Sequence, residues 1–304
     1  MKSRIPMPVE LAHRPFSIRV GASAGVGYGR LRGADLQRPF AGVRNPSPYP
    51  LDLESLARTY QTRMPQHAFF CRTTAASLWG VPLPRTLQRA LPLHVAVPAP
   101  HRCPRGRGVM GHTFNASDAE VRWLRGLPVT TPERTWFDLG AVLTLPDLVA
   151  ATDFLIGRRS PLTTKRNLAG ALAGYAGRRG RVALREALEL ADGWSESRKE
   201  SQLRLICVNA QFSGLVANLE ITTSGGFHYR GDLAFPKERV LLEYQSDYHG
   251  DIVQFRKDMT RRSRLEADGW FVMLINADDL HNPEELVARI RKVLFDRAKS
   301  LHLR

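Results

Sequence analysis

Two hydrophobic rhythms alternate through the last third of the chain. Leu203, Ile206, Cys207 and Ala210 recur at helical spacing, which predicts a helix beginning near Glu200. Strand-like segments follow around 215–223, 229–235 and 240–245. A helix is expected over 251–268, ended by Gly269, a favoured residue just past a helix terminus. The run from Trp270 to Ile275 is continuously apolar, the pattern of a strand covered on both faces. Asn282 and Pro283 then supply a cap and a first-turn proline for a last helix. Its apolar stripe is Leu286, Val287, Ile290, Val293 and Leu294. The strand–helix–strand crossover predicts that the 240s and 270s strands run parallel.

Upstream the pattern is less regular. Residues 30–44 read as a compact helix, a turn and an extended tail, a small winged-helix-like element. Residues 92–98 read as a strand, and Thr131 and Pro132 as the cap and first turn of a helix. Trp79 and Trp136 are expected in the core. The fold class is α/β, with an α+β N-terminal region.

One polar interruption stands out against this background. Glu243 lies inside Val-Leu-Leu-Glu-Tyr, and Asp232 lies on the strand before it. Side chains alternate faces along a strand, so Glu243 and Gln245 project together while Leu242 and Tyr244 face the other way. Asp232, Glu243 and Gln245 are therefore expected at one spot. A buried acid is costly without a partner. Two converging carboxylates offer the oxygen ligands and negative charge that a hard divalent cation takes.

This stretch, Gly231-Asp232 followed by Glu243-Tyr-Gln245-Ser-Asp-Tyr248-His249, resembles the PD-(D/E)XK nuclease superfamily, in particular its branch related to very-short-patch-repair endonucleases. The likeness covers roughly 196–294. It implies a restriction-endonuclease-like α-β-β-β-α-β-α core. Asp232 matches the first acid and Glu243 the second, and both would hold Mg²⁺ or Mn²⁺. Gln245 stands where the superfamily usually has Lys, and would orient water or a phosphate oxygen. His249 matches the His closing the strand and would donate a proton or bind phosphate. Glu200 matches a further acid on the first helix. Arg261 and Arg262 would hold phosphate, although such a run is also an ordinary solvated helix face. Gly231 stands where Pro is usual. Residues 15–156 resemble the regulators of the AbiEi abortive-infection antitoxin type, which implies promoter DNA as a partner for that region.

Charge fits a polyanionic partner. The 304 residues carry a formal net charge of +15. Residues 1–193 hold 27 Lys and Arg against 13 Asp and Glu, and 194–304 hold 17 against 16. The segment 157–185 has eight Lys or Arg and no acid. Its Arg158, Arg159, Arg178, Arg179 and Arg181 are candidate phosphate contacts, or else one face of a solvated helix pair with Ala169, Leu172 and Ala173 inward. Cys71, Cys103 and Cys207 show no paired metal spacing, which argues for a reducing compartment. The absence of an apolar signal core or long apolar run predicts a cytoplasmic chain with no membrane partner.

The organisation expected is a winged-helix-like DNA-binding element at 1–50, an AbiEi-like α/β region at 51–156, a basic helical linker at 157–193 and a nuclease-like domain at 194–304. The function expected is metal-dependent hydrolysis of phosphodiesters in DNA, including mismatched or nicked duplex, with no organic cofactor. The alternative is a DNA-binding regulator or antitoxin-like protein whose nuclease fold is inactive, a reading that rests on Gln245 in place of Lys.

Overall fold

Helix caps written into the sequence fix many of the element boundaries. Thr131 accepts a hydrogen bond from the Arg134 amide at 3.2 Å and opens the helix Pro132–Leu139. Ser197 accepts from the Glu200 amide and opens Arg198–Asn209. In the computed structural model, residues 5–115, 120–175, 179–245 and 252–302 are described. Arg178 and His249 lie outside them.

The described residues form a mixed α/β protein with three sheets of three, four and six strands. Contacts divide the chain into two units: 1–143 with 166–181, and 144–165 with 182–304. In the first unit, short helices Ile18–Ser23 and Tyr28–Leu31 sit with a small sheet around Leu11, Phe16, Leu31 and Leu36. A six-stranded sheet follows, with a core of Phe70, Leu93, Val95, Val97 and Val129. Trp136 is fully buried, and Trp79 is half-buried with its indole N–H donating to the Thr130 carbonyl at 2.8 Å. In helix Lys165–Gly174, Leu168, Ala171 and Leu172 are buried, whereas Ala169 and Ala173 are exposed. The inward face is thus turned from the one expected, because Leu168 pairs with Leu172 one turn on.

The second unit is built on a four-stranded sheet, Val216–Thr222, His228–Phe235, Val240–Tyr244 and Phe271–Ile275, in that spatial order. The first three strands are antiparallel and the last pair is parallel, with Val240 opposite Phe271 and Glu243 opposite Leu274. Helix Ile252–Ala267 makes the crossover. One core, beneath Arg198–Asn209 and Pro283–His302, joins Leu203, Cys207, Leu233, Phe235, Leu242, Leu286 and Ile290. Another joins Ile221, Ala234, Leu241, Leu265 and Val272.

Val272 packs in one of these cores and Met273 and Ile275 in the other, so the last strand is covered on both faces as expected, although Phe271 and Leu274 are exposed. A short helix, Ala277–His281, precedes the last one, opened by a reciprocal capping box between Asn276 and Asp279. That Asn-x-x-Asp signal was present in the sequence.

Helix Leu145–Leu155 packs on Arg198–Asn209 within this unit. The joint is polar. Asp153 is fully buried and accepts from Arg204 Nη2 and Ser201 Oγ, both at 2.8 Å, and from the Asp192 amide. Asp147 accepts from Arg198 Nε at 2.7 Å and Gln202 Nε2 at 2.9 Å. No helix among the described residues is long and apolar enough to cross a membrane.

Candidate active site

Asp232 and Glu243 line one cavity of about 200 Å³ with Gln245, Asp258, Arg261 and Arg262. The antiparallel register places Leu233 opposite Leu242, so the two acids sit on neighbouring strands one step further along. Asp232 is fixed by its neighbour: its Oδ2 accepts from the Tyr244 amide at 3.0 Å. Glu243 Oε1 accepts from Arg261 Nη2 at 2.6 Å, and the same nitrogen donates to the Arg230 carbonyl. Gln245 stands just beyond the strand, its amide donating to the Ile275 carbonyl at 2.7 Å. Leu274, exposed on the edge strand, supplies part of the apolar wall.

The electrostatics show two acids under strain. Burial raises the pKa of Asp232, and the Glu243 charge raises it further against the Tyr244 amide and nearby arginines. Burial likewise raises Glu243, where Arg261 opposes and Asp258 adds to the rise. Bringing carboxylates together in a low dielectric disfavours their charged forms unless a cation is near. Arg261 supplies one such charge, from the helix rather than from position 245.

Glu200 has a local duty. Its Oε2 accepts from the Glu196 amide at 2.8 Å while Ser197 Oγ accepts from the Glu200 amide, so it helps to cap its own helix. Burial and the Asp232 charge raise its pKa, which places it in the electrostatic reach of the site without lining it. Arg262 lines the cavity and pairs with Glu266 at 2.7 Å.

The remaining basic residues are divided between the two units. Arg158 and Arg159 line a second cavity in the same unit. Arg179 and Arg181 belong to the first unit. Arg179 is exposed, but Arg181 donates to the Tyr175 and Leu172 carbonyls and closes the end of helix Lys165–Gly174. Asp258, one turn before Arg261 and Arg262 on the same helix and at a position that matches the nuclease likeness, lines the cavity as well.

No cluster of three or more His, Cys, Asp or Glu side chains is disposed to bind a metal among the described residues. Magnesium does not require one, since it commonly binds through one or two carboxylates while keeping several waters. Two carboxylates with a raised pKa and a neighbouring carboxamide fit that donor set.

The chain is 32% identical over 235 residues to "Uncharacterized protein Rv2248" of Mycobacterium tuberculosis strain H37Rv, covering 77% of this chain and 83% of the relative. The same figures hold for "Uncharacterized protein MT2308" of strain CDC 1551. The chain belongs to the family of these mycobacterial proteins. No family model matches it. No solved structure matches it either.

Proposed function

We propose that the protein is a metal-dependent nuclease of the PD-(D/E)XK type acting on DNA, its 144–165 and 182–304 unit carrying the chemistry. The observation that carries this reading is the pair Asp232 and Glu243, on adjacent strands, facing one cavity with mutually unfavourable charge. The succession Arg198–Asn209, three antiparallel strands, Ile252–Ala267, a parallel strand and Pro283–His302 supports the restriction-endonuclease-like core, with Ala277–His281 as an added turn.

Asp232 and Glu243 would hold Mg²⁺ or Mn²⁺, with Glu200 behind Asp232. Bound there, the ion would supply Lewis-acid polarisation of the phosphate and lower the pKa of a coordinated water. The Tyr244 amide keeps the Asp232 carboxylate oriented. The Gln245 carboxamide accepts from the attacking water or donates to a non-bridging oxygen, but adds no charge. Arg261, which pairs with Glu243 in this structure, would be the cation beside the reacting phosphate. His249 keeps its proposed part as proton donor or phosphate ligand.

The test is incubation of the purified protein with supercoiled plasmid and Mg²⁺ or Mn²⁺, with and without chelator. Nicking should require the metal and vanish in Asp232→Asn and Glu243→Gln. DNA binding should persist in both variants, since each removes a repelling charge. Absence of metal-dependent cleavage on duplex, mismatched, single-stranded and RNA substrates would favour the second reading, a DNA-binding regulator with an inactive fold. The Glu243–Arg261 ion pair favours that alternative, because it satisfies the acid without any metal.

A further inference from the structure

A second cavity in the catalytic unit, about 340 Å³ in volume, is walled by Arg158, Arg159, Trp194, Ser195, Glu220 and Arg230. Its construction is rigid. Asp153 Oδ1 accepts from the amides of Asp192 and Gly193, the Trp194 amide donates to Asp192 Oδ1, and the Asn218 side chain donates to the Trp194 carbonyl. Gly193 has φ +69°, and a Cβ there would stand 2.9 Å from the Ile156 carbonyl oxygen. The loop can thus approach the helix end only because residue 193 is glycine.

Three features of this cavity suit a nucleotide. The Arg158 guanidinium lies 3.7 Å from the centre of the Trp194 ring, while the indole remains substantially exposed, giving a flat cationic and aromatic wall. Ser195 is 7% exposed, and its Oγ has no hydrogen-bond partner among the described residues. A buried hydroxyl without a partner is costly, so it marks a place that a ligand edge completes. Arg159 and Arg230 both reach Glu196, and with Arg158 the three cations of the wall outnumber Glu196 and Glu220, which leaves positive charge for a phosphate.

Position ties the cavity to the candidate active site. Arg230 and Asp232 are two apart on one strand, and the Arg230 charge is among those that oppose the rise in the Asp232 pKa. Arg159 and Arg230 also wall a neighbouring depression containing Tyr229, which in turn borders one lined by Arg256, Lys257, Arg261 and Arg264. Along this track Arg264 lies 3.7 Å from the Phe227 ring centre and Arg261 lies 5.9 Å from that of Tyr229. Cations alternating with aromatic rings are the surface on which an unpaired strand lies, its bases stacked and its phosphates paired.

We infer that the Trp194 cavity receives one unstacked nucleobase of the substrate strand, close to the phosphate that is cut. The base lies against the Trp194–Arg158 wall with its edge at Ser195 Oγ, and its backbone runs past Arg159 and Arg230. This inference rests on the nuclease reading for its substrate, and selects strands whose bases are already displaced, such as single-stranded, mismatched or flapped DNA.

The probe is a single-stranded oligodeoxynucleotide of about 12 nucleotides, within the usual reach of such tracks. It carries one 2-aminopurine stepped through successive positions and a terminal fluorescein. It is mixed with the full-length protein in chelator, so that no cleavage occurs. One register should show marked quenching of 2-aminopurine on binding. Trp194→Ala should abolish that quenching and weaken binding about 5- to 150-fold, as for a lost stacking residue. Trp194→Phe should retain part of both, and Ser195→Val should weaken binding while leaving the fold unchanged by circular dichroism. Quenching at no register, or equal affinity in all three variants, overturns the inference, as does preference for perfect duplex over the single strand. Trp194-dependent quenching in a protein that cuts nothing with any metal would instead overturn the nuclease reading and leave the cavity assignment standing. An adequate fold in Trp194→Phe keeps the comparison valid should Trp194→Ala fail to fold.

Discussion

Arg261 sits where a residue-level change should speak most clearly. Its guanidinium holds down the Glu243 pKa that burial pushes up, so removing it should let that pKa rise further. Glu243 would act as an anion, and cleavage is lost as pH falls through its pKa. Arg261→Ala should therefore move the acid limb of the pH–rate profile to higher pH, besides lowering the rate. An unmoved limb would show that Arg261 does not act on Glu243. A second titration lies in the first unit, where His94 Nδ1 and His112 Nε2 are 3.0 Å apart. Burial, then the Arg72 charge, lowers the His112 pKa to about 4. Because the folded pKa lies below the unfolded one, the unfolded chain binds more protons between them, and this ring disfavours the fold as pH falls through that window. Ring-proton NMR should find His112 neutral at pH 5.5, and a midpoint near 6.5 would refute this. Asp232 and Glu243 were legible in the sequence because strand alternation alone assigns their faces. Trp194 and Ser195 were not, since they lie between elements, where no periodicity operates and only tertiary contacts assign a role.

At the scale of elements, Gly231 illustrates how packing can dictate a residue beside a site. A Cβ at this position would stand 2.6 Å from Leu241 Cδ2, and Leu241 is fully buried. Gly231→Ala should destabilise the unit by about 1–3 kcal/mol, the usual penalty for overpacking, read as a lower urea midpoint. The clash explains the glycine in physical terms that the sequence likeness did not. The joint between helices Leu145–Leu155 and Arg198–Asn209 is more sensitive. Arg204→Leu would leave Asp153 buried without its guanidinium and should cost about 3–5 kcal/mol. Strands and long helices were largely readable because their periods of two and 3.6 survive in the burial pattern. In the run beginning at Trp270, Val272, Met273 and Ile275 are buried as its apolar continuity predicts, whereas the exposure of Phe271 and Leu274 cannot be read from hydrophobicity alone.

For the whole molecule, charge separates between the two units more sharply than the linear sequence suggests. The unit of 1–143 and 166–181 carries 23 Lys and Arg against 8 Asp and Glu, whereas the unit of 144–165 and 182–304 carries 21 against 21. The formal excess of +15 thus falls entirely on the first unit. Nonspecific DNA affinity should fall steeply with salt. Neutralising the exposed Arg102, Arg105 and Arg107 together should flatten the log–log salt slope by up to about 2.7 units if each contacts a phosphate. An unchanged slope would place the DNA elsewhere. The sequence shows a change of composition near 157 and 194, but the contacts group 144–165 with the C-terminal sheet. That grouping depends on Asp147 and Asp153 meeting Arg198 and Arg204, partners some fifty residues distant that no local pattern announces.

The path of the chain through these two units has a consequence for synthesis. The chain leaves the first unit after residue 143, returns at 166 and leaves again after 181. Helix Lys165–Gly174, with Leu168 and Leu172 buried, and the Tyr175 ring packed 5.4 Å from that of Phe137, are late additions to a body otherwise complete. On a ribosome adding about 5–20 residues per second, the positively charged unit must wait seconds for its final helix after its last strand has emerged. During that interval helix Leu145–Leu155 is already exposed, while its partner helix Arg198–Asn209 has yet to be made. The nascent chain therefore passes through a stage in which neither unit can close, a natural point of engagement for chaperones.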